Sequence, residues 1–201
     1  MLEEYNINQT TLKIIALYRD DYRKLLHVRE IAREINVDVK AIQLQLRRLE
    51  GINILSSSLK GKNKDYQLNL ANILTRYYLI MSETFTTLSF LGNTFRIKKL
   101  LEELGSNVQG TLVLYGSFVK SLARKDSDID LFVVTSAPFN KKDVDEAAAV
   151  VARQVSVKIA KPKDFLKGIV TKDPLISEVI AHHIILKGVD EFCDILWRYY
   201  S

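Results

Sequence analysis

Thr111-Leu112-Val113-Leu114-Tyr115-Gly116-Ser117, then ten intervening residues, then Asp128-Ile129-Asp130-Leu131-Phe132-Val133-Val134 is the stretch on which the reading of the fold turns. The first run is short, apolar and partly β-branched, and it stops at Gly-Ser, so a strand followed by a turn is expected. Phe118 to Arg124 holds no helix breaker and predicts a short helix. Gly116 has no Cβ and lets a ligand approach the main chain, while Ser117 offers a hydroxyl and an amide at a helix start, a corner suited to phosphate oxygens. Asp128 and Asp130 are two apart and therefore share a strand face, with Ile129, Leu131 and Val133 on the other. Two carboxylates so placed repel each other unless a cation sits between them, and hard oxygen ligands of this kind suit Mg2+ or Mn2+ shared with the phosphates of an NTP. Asp-x-Asp by itself is common and usually marks a solvated pair, so the weight falls on the whole string of elements.

That string of strand, Gly-Ser, short helix, Asp-x-Asp and second apolar strand resembles the nucleotidyltransferase superfamily related to DNA polymerase β, in particular its small stand-alone members. The resemblance implies that Gly116 and Ser117 hold the nucleotide's phosphates and that Asp128 and Asp130 are the first two metal ligands and catalytic carboxylates. It also implies a third Asp or Glu on a later strand, acting as ligand and as base. The segment equivalent to that strand is Arg153 to Ala160, and its polar face shows Ser156 and Lys158, neither of which can act as a carboxylate. Lys158 can instead pair with Asp128 or Asp130, or neutralise a triphosphate.

The chain has 201 residues, 47% hydrophobic and 26% charged, enough to bury a core in one or two domains. Its single cysteine, Cys193, excludes an internal disulfide and lies in an apolar pattern that reads as buried. No run approaches the roughly 20 apolar residues that cross a bilayer, and no apolar leader follows Met1, so no membrane partner and a cytoplasmic location are expected.

Net charge is +5, and its distribution carries more information than its sum. Between Lys40 and Lys64 stand Lys40, Arg47, Arg48, Lys60, Lys62 and Lys64 against one acid, Glu50. Leu25 to Ile35 reads as a helix, Asn36-Val37-Asp38 as a turn with Asp38 as N-cap, and the following segment as a second helix ended by Gly51. That second helix puts Ile42, Leu46 and Leu49 on one face and Lys40, Gln43 and Arg47 on another. Ile52 to Ser56 and Tyr66 to Leu68 suit two strands joined by a basic turn. Over about Thr10 to Leu70 the order is similar to a winged helix-turn-helix. The resemblance implies duplex DNA as partner, with Lys40, Gln43 and Arg47 facing bases and Lys60, Lys62 and Lys64 facing phosphates. A protein-docking role for the same surface is the alternative.

Leu70 to Ser82 and Thr94 to Leu104 carry apolar residues at helical spacing with a break at Gly92-Asn93. Their apolar stripe exceeds what an exposed linker would show, which implies packing within the chain or a homodimer interface. Beyond the acidic strand, the pattern predicts a helix over Lys141 to Gln154, a strand over Val155 to Ile159, a helix opening at Pro162, and a helix over Ser177 to Lys187 ended by Gly188. On that last helix His182 and His183 would face different directions, which argues against a shared metal.

The expected fold class is therefore α/β (α+β): a winged helix-turn-helix over 1–70, a helical connector over 71–105, and a small nucleotidyltransferase-like mixed sheet with helices over 106–201. Two functions follow. One is an enzyme that transfers a nucleoside monophosphate from NTP to an unknown acceptor with Mg2+. The other is a DNA-binding transcription regulator whose second domain senses a nucleotide or scaffolds without catalysis.

Overall fold

The computed structural model describes residues 5, 7–61, 63–120 and 127–201, with Lys60 described by its backbone alone. The chain divides into two compact units, Met1–Ser82 with Tyr200–Ser201, and Glu83–Tyr199. The division falls inside one continuous helix, α4 (Ile73–Asn93).

In the first unit the order is α1 (Gln9–Ala16), β1 (Leu26–His27), α2 (Val28–Ile35), α3 (Val39–Gly51), β2 (Leu55–Lys60) and β3 (Asn63–Leu68). Local chemistry sets these boundaries. His27 forms a capping box with Glu30 at the start of α2, and Asn36 in the left-handed region, φ 54°, ends it. Asp38 then caps α3 by accepting from the amides of Lys40 and Ala41 at 2.8 and 3.3 Å. The helix expected from Leu25 begins at Val28 because Leu26 and His27 are drawn into an antiparallel ladder with Tyr66 and Asp65. The strand expected at Ile52 begins at Leu55, since Asn53 turns the chain at φ 58°. The three strands lie in the order β1-β3-β2. Ile14, Ile15, Tyr18, Tyr22, Ile31, Ile42, Leu46, Leu49 and Ile54 are fully buried beneath them.

The second unit holds the rest of α4, α5 (Phe95–Leu104), β4 (Thr111–Tyr115), β5 (Ile129–Val134), α6 (Lys141–Val151), β6 (Val155–Ala160), α7 (Pro162–Val170), α8 (Pro174–Ala181), β7 (Ile184–Lys187) and most of α9 (Val189–Tyr200). Its four-stranded sheet runs β6-β5-β4-β7, with β5 and β6 parallel and the other pairs antiparallel. Alternation along the strands divides the sheet into two packed faces. Leu112, Leu114, Ile129, Leu131 and Val133 meet Ile97, Leu100 and Leu104 of α5 and Val144, Ala147 and Val151 of α6. On the other face Tyr115, Phe132, Phe165 and Phe192 form a chain of rings with centroids 5.6–6.4 Å apart, the first pair edge-on and the other two tilted. The chain as a whole is a mixed α+β protein with two sheets, and the second unit is consistent with a nucleotidyltransferase-like fold.

One helix expectation is corrected, and another falls largely outside the described residues. The helix read over Ser177 to Lys187 is α8 to Ala181 and then strand β7, which pairs with β4. A short apolar run does not distinguish a buried helix from a buried strand by periodicity, and Ile184-Ile185 is the β-branched pair that decides it. His182 therefore ends α8, while His183 is buried, with Nδ1 2.7 Å from the carbonyl oxygen of Ile180 and Nε2 3.0 Å from Glu83 Oε1. The helix expected over Phe118 to Arg124 opens as a three-residue 3-10 turn, Gly116–Phe118, and residues 121–126 lie outside the described ones.

Candidate functional site

β4 delivers Tyr115 opposite Asp130 of β5, and the chain turns out of the sheet at the next residue. Gly116 makes that turn at φ +75°, and a Cβ on it would lie 2.6 Å from Asp130 Oδ2. The left-handed backbone favours glycine, and any side chain there would have to push the Asp130 carboxylate aside. Ser117 follows, half-buried, in the 3-10 turn. Among the described residues that turn spans three residues, and the polar groups it presents are the backbone beside Gly116 and the Ser117 hydroxyl.

Asp128 is exposed just ahead of β5, and Asp130 is half-buried on it. Burial, then the charge of Asp128, then that of Glu178 hold the Asp130 carboxyl above the usual aspartate range, with Lys158 pulling the other way. Asp130 is thus an acid whose neighbours favour either a proton or a cation. The register places Ser156 of β6 directly opposite Asp130, and Lys158 opposite Phe132 on the same face. Neither Ser156 nor Lys158 is an acid, so β6 sets no carboxylate beside Asp130.

Two charged residues at this corner escaped the sequence reading. Lys120 donates its amide to the Gly116 carbonyl oxygen at 3.2 Å, and its Nζ lies 2.7 Å from Glu178 Oε1 on α8. Glu178 also helps to raise the Tyr115 hydroxyl, behind burial and Asp130. A lone acid in the apolar run Leu175 to Ile180 was the available signal for Glu178, and the distance of four residues from Gly116 was the signal for Lys120. Among the described residues no three His, Cys, Asp or Glu side chains lie close enough to form a metal cage. The donor set at the corner is two aspartates, which fits a cation that takes its remaining oxygens from phosphate and water.

In the first unit, Lys40, Gln43 and Arg47 are all exposed on α3, opposite Ile42, Leu46 and Leu49, which are fully buried. Lys64 is not a free cation. Its Nζ lies 2.7 Å from Glu50 Oε2, whose other oxygen accepts from Ser57 at 2.5 Å; the two hydrogen bonds hold Glu50 below its usual range, and the first of them holds Lys64 above its own. Lys62 lies outside the described residues, as does the side chain of Lys60. No helix among the described residues is long and apolar enough to cross a membrane.

Comparison with known proteins gives a limited set of likenesses. No curated protein sequence matches the chain. A solved structure described as a toxin-antitoxin with AMP-PNP aligns at 17% identity and a TM-score of 0.37, over 51% of this chain and 83% of that one. The structure of TrmBL2, an archaeal chromatin protein described as showing a novel mode of DNA binding, aligns at 18% identity and a TM-score of 0.29, over 84% of this chain and 68% of that one. Residues 97–186, the span from α5 through β7 that contains Gly116, Asp128 and Asp130, match the family model of the nucleotidyltransferase domain.

Proposed function

We propose that the second unit binds a nucleoside triphosphate together with Mg2+ or Mn2+ and transfers a nucleoside monophosphate to an acceptor hydroxyl. The observation that carries this is Gly116 at φ +75° pressed against the Asp130 carboxylate, within the segment that matches the nucleotidyltransferase domain. Asp128 and Asp130 would hold the cation, Gly116 and Ser117 would seat the phosphates, and Lys158 would face the polyphosphate across Asp130. What a divalent ion supplies when bound is polarisation of the α-phosphate and neutralisation of the departing charge. In the transfer the acceptor oxygen bonds to the α-phosphorus, the bond from that phosphorus to the bridging oxygen breaks, and pyrophosphate leaves with the electron pair. The hydroxyl proton would pass to solvent, since Ser156, the residue paired with Asp130 on β6, cannot act as a carboxylate base. The chain's contribution is then positioning and charge. Incubation with each labelled NTP and Mg2+ should release pyrophosphate, and an Asp128→Ala, Asp130→Ala variant should release none; release that survives the double change excludes this site.

A second reading is favoured by Ser156 itself: a nucleotide-binding regulator that has lost transfer. It expects triphosphate binding that depends on Asp128 and Asp130, with no pyrophosphate under any acceptor.

For the first unit we propose a winged helix-turn-helix, 1–70, that binds duplex DNA. Support comes from the α2-turn-α3 arrangement with an exposed polar face, followed by the β2-β3 hairpin. Lys40, Gln43 and Arg47 would read bases, and Lys60, Lys62 and Lys64 would touch phosphates. Binding should weaken steeply as salt rises, and an affinity indifferent to salt would argue for a protein partner instead. On the 71–105 connector, Leu88 and Phe95 are exposed at 65% and 72% beside a cavity of about 520 Å3, and we assign a homodimer contact to that surface. Sedimentation should then show a dimer that Phe95→Glu converts to monomer. We propose a cytoplasmic location, where such a reaction would draw on NTP.

A further inference from the structure

On the sheet face that bears Asp130, an open groove of about 420 Å3 runs between β6 and α7 towards the start of α8. Phe132 lines it, and Phe132 follows Asp130 by two residues on the same strand face, so the groove begins about 7 Å along the strand from the candidate metal ligand. Lys158 lines it as well, which makes one cation a wall of the groove and a neighbour of Asp130.

The charges of the groove are unequal in availability. Lys158 and Lys167 are exposed, and neither makes an ion pair among the described residues. Asp173 is occupied in capping α8, accepting from the amides of Leu175 and Ile176 at 3.0 and 3.1 Å. Asp164 lies in the first turn of α7, where the helix's own amide groups offset part of its charge. What remains is one ammonium group with no other assigned role, Lys167, and a second, Lys158, that stands between the groove and Asp130, both over an apolar floor in a volume typical of sites for small organic ligands. Lysine binds phosphate as a point charge and needs no fixed angle to do so.

We propose that this groove seats the acceptor, a nucleotide-sized molecule whose own phosphate is held by Lys158 and Lys167 and whose hydroxyl points back along β5 towards Asp130. The proposal rests on the nucleotidyl-transfer reading and adds the acceptor's chemical class to it. It gives Lys167 of α7, remote from the Gly116 corner in sequence, a part in binding the acceptor alone.

The full chain is saturated with Mg2+ and a non-hydrolysable ATP analogue and then titrated with AMP as probe in a calorimeter. AMP should still bind, at least tenfold more tightly than adenosine. Lys167→Gln should weaken AMP about tenfold, Lys167→Arg should restore it, and neither change should alter the affinity for the ATP analogue. If AMP binding vanishes once the analogue is present, or if Lys167→Gln binds AMP as the unaltered chain does, the groove is not the acceptor site. An ATP analogue that fails to bind, or binds equally well to Asp128→Asn, Asp130→Asn, overturns the nucleotidyl-transfer reading itself. AMP titrated with Mg2+ alone then still reads the groove through its dependence on Lys167.

Discussion

At Gly116 a hydrogen atom in place of a methyl group leaves the Asp130 carboxylate its room beside the turn. Gly116→Ala meets two penalties at once, a left-handed backbone and a Cβ 2.6 Å from Asp130 Oδ2. The first costs about 1–2 kcal/mol, and the second must displace the carboxylate. Urea denaturation of Gly116→Ala should therefore show a loss of about that size, and affinity for Mg2+ with NTP should fall at least tenfold; a variant with normal binding would remove Asp130 from the site. Asp130 itself predicts the opposite sign for stability. Its carboxyl is raised from the ordinary 3.8 by burial, Asp128 and Glu178, so the folded state holds the proton more tightly than the unfolded chain does. That contribution is complete below pH 3.8 and is lost as pH rises through the folded value, which leaves the ionised group a burden at neutral pH. Asp130→Asn should stabilise the ligand-free protein at pH 7 by about 1 kcal/mol or less once solvent screening is counted, while metal-dependent nucleotide binding disappears. Thermal melts of both proteins at pH 7 and pH 3.5 check the sign, since the difference should shrink at the lower value. An Asp130→Asn variant less stable at pH 7 would mean that the carboxylate serves packing instead of ligand binding.

Among the elements, the β2-β3 hairpin carries a cation whose charge is already engaged. Lys64 rests on Glu50 of α3, a pair whose two side chains are 39% and 32% exposed, so its worth to stability is small and its effect on an incoming phosphate is the larger matter. Glu50→Gln should release Lys64, raise duplex affinity at low salt and steepen the slope of log affinity against log salt by about 0.9, the increment for one more neutralised phosphate. Adding Lys64→Gln should return the slope; a slope that never moves would place the duplex elsewhere. These elements were legible in sequence wherever capping and periodicity agreed. Asp38 and Gly51 delimit α3, Val144, Ala147 and Val151 mark the inner face of α6, and Thr111 to Tyr115 and Ile129 to Val134 read as strands. Failure came where burial erased the pattern. Ile184 to Lys187 has no polar alternation because both faces of β7 are covered, and the Lys120–Glu178 pair joins residues 58 apart, beyond what local spacing encodes. The same holds for Glu83 and His183, whose buried contact joins α4 to the residue before β7.

Across the whole molecule, two cores are built from two sheets that share no strand, and the division between units falls at Ser82 and Glu83 within α4. A core that closes on itself can melt on its own, so the chain is expected to depart from a single two-state transition. A ligand that binds only the folded form of one unit stabilises that unit by about 2.7 kcal/mol at a hundredfold excess over Kd. Scanning calorimetry of the full chain should therefore show two transitions. Mg2+ with a non-hydrolysable NTP analogue should move the one that belongs to residues 83–199, and duplex DNA should move the other. Asp130→Asn should abolish the first shift and leave the second. If either ligand moves both transitions equally, the continuous helix transmits stability from one core to the other, and nucleotide occupancy and duplex affinity must then be linked by the same free energy in both directions.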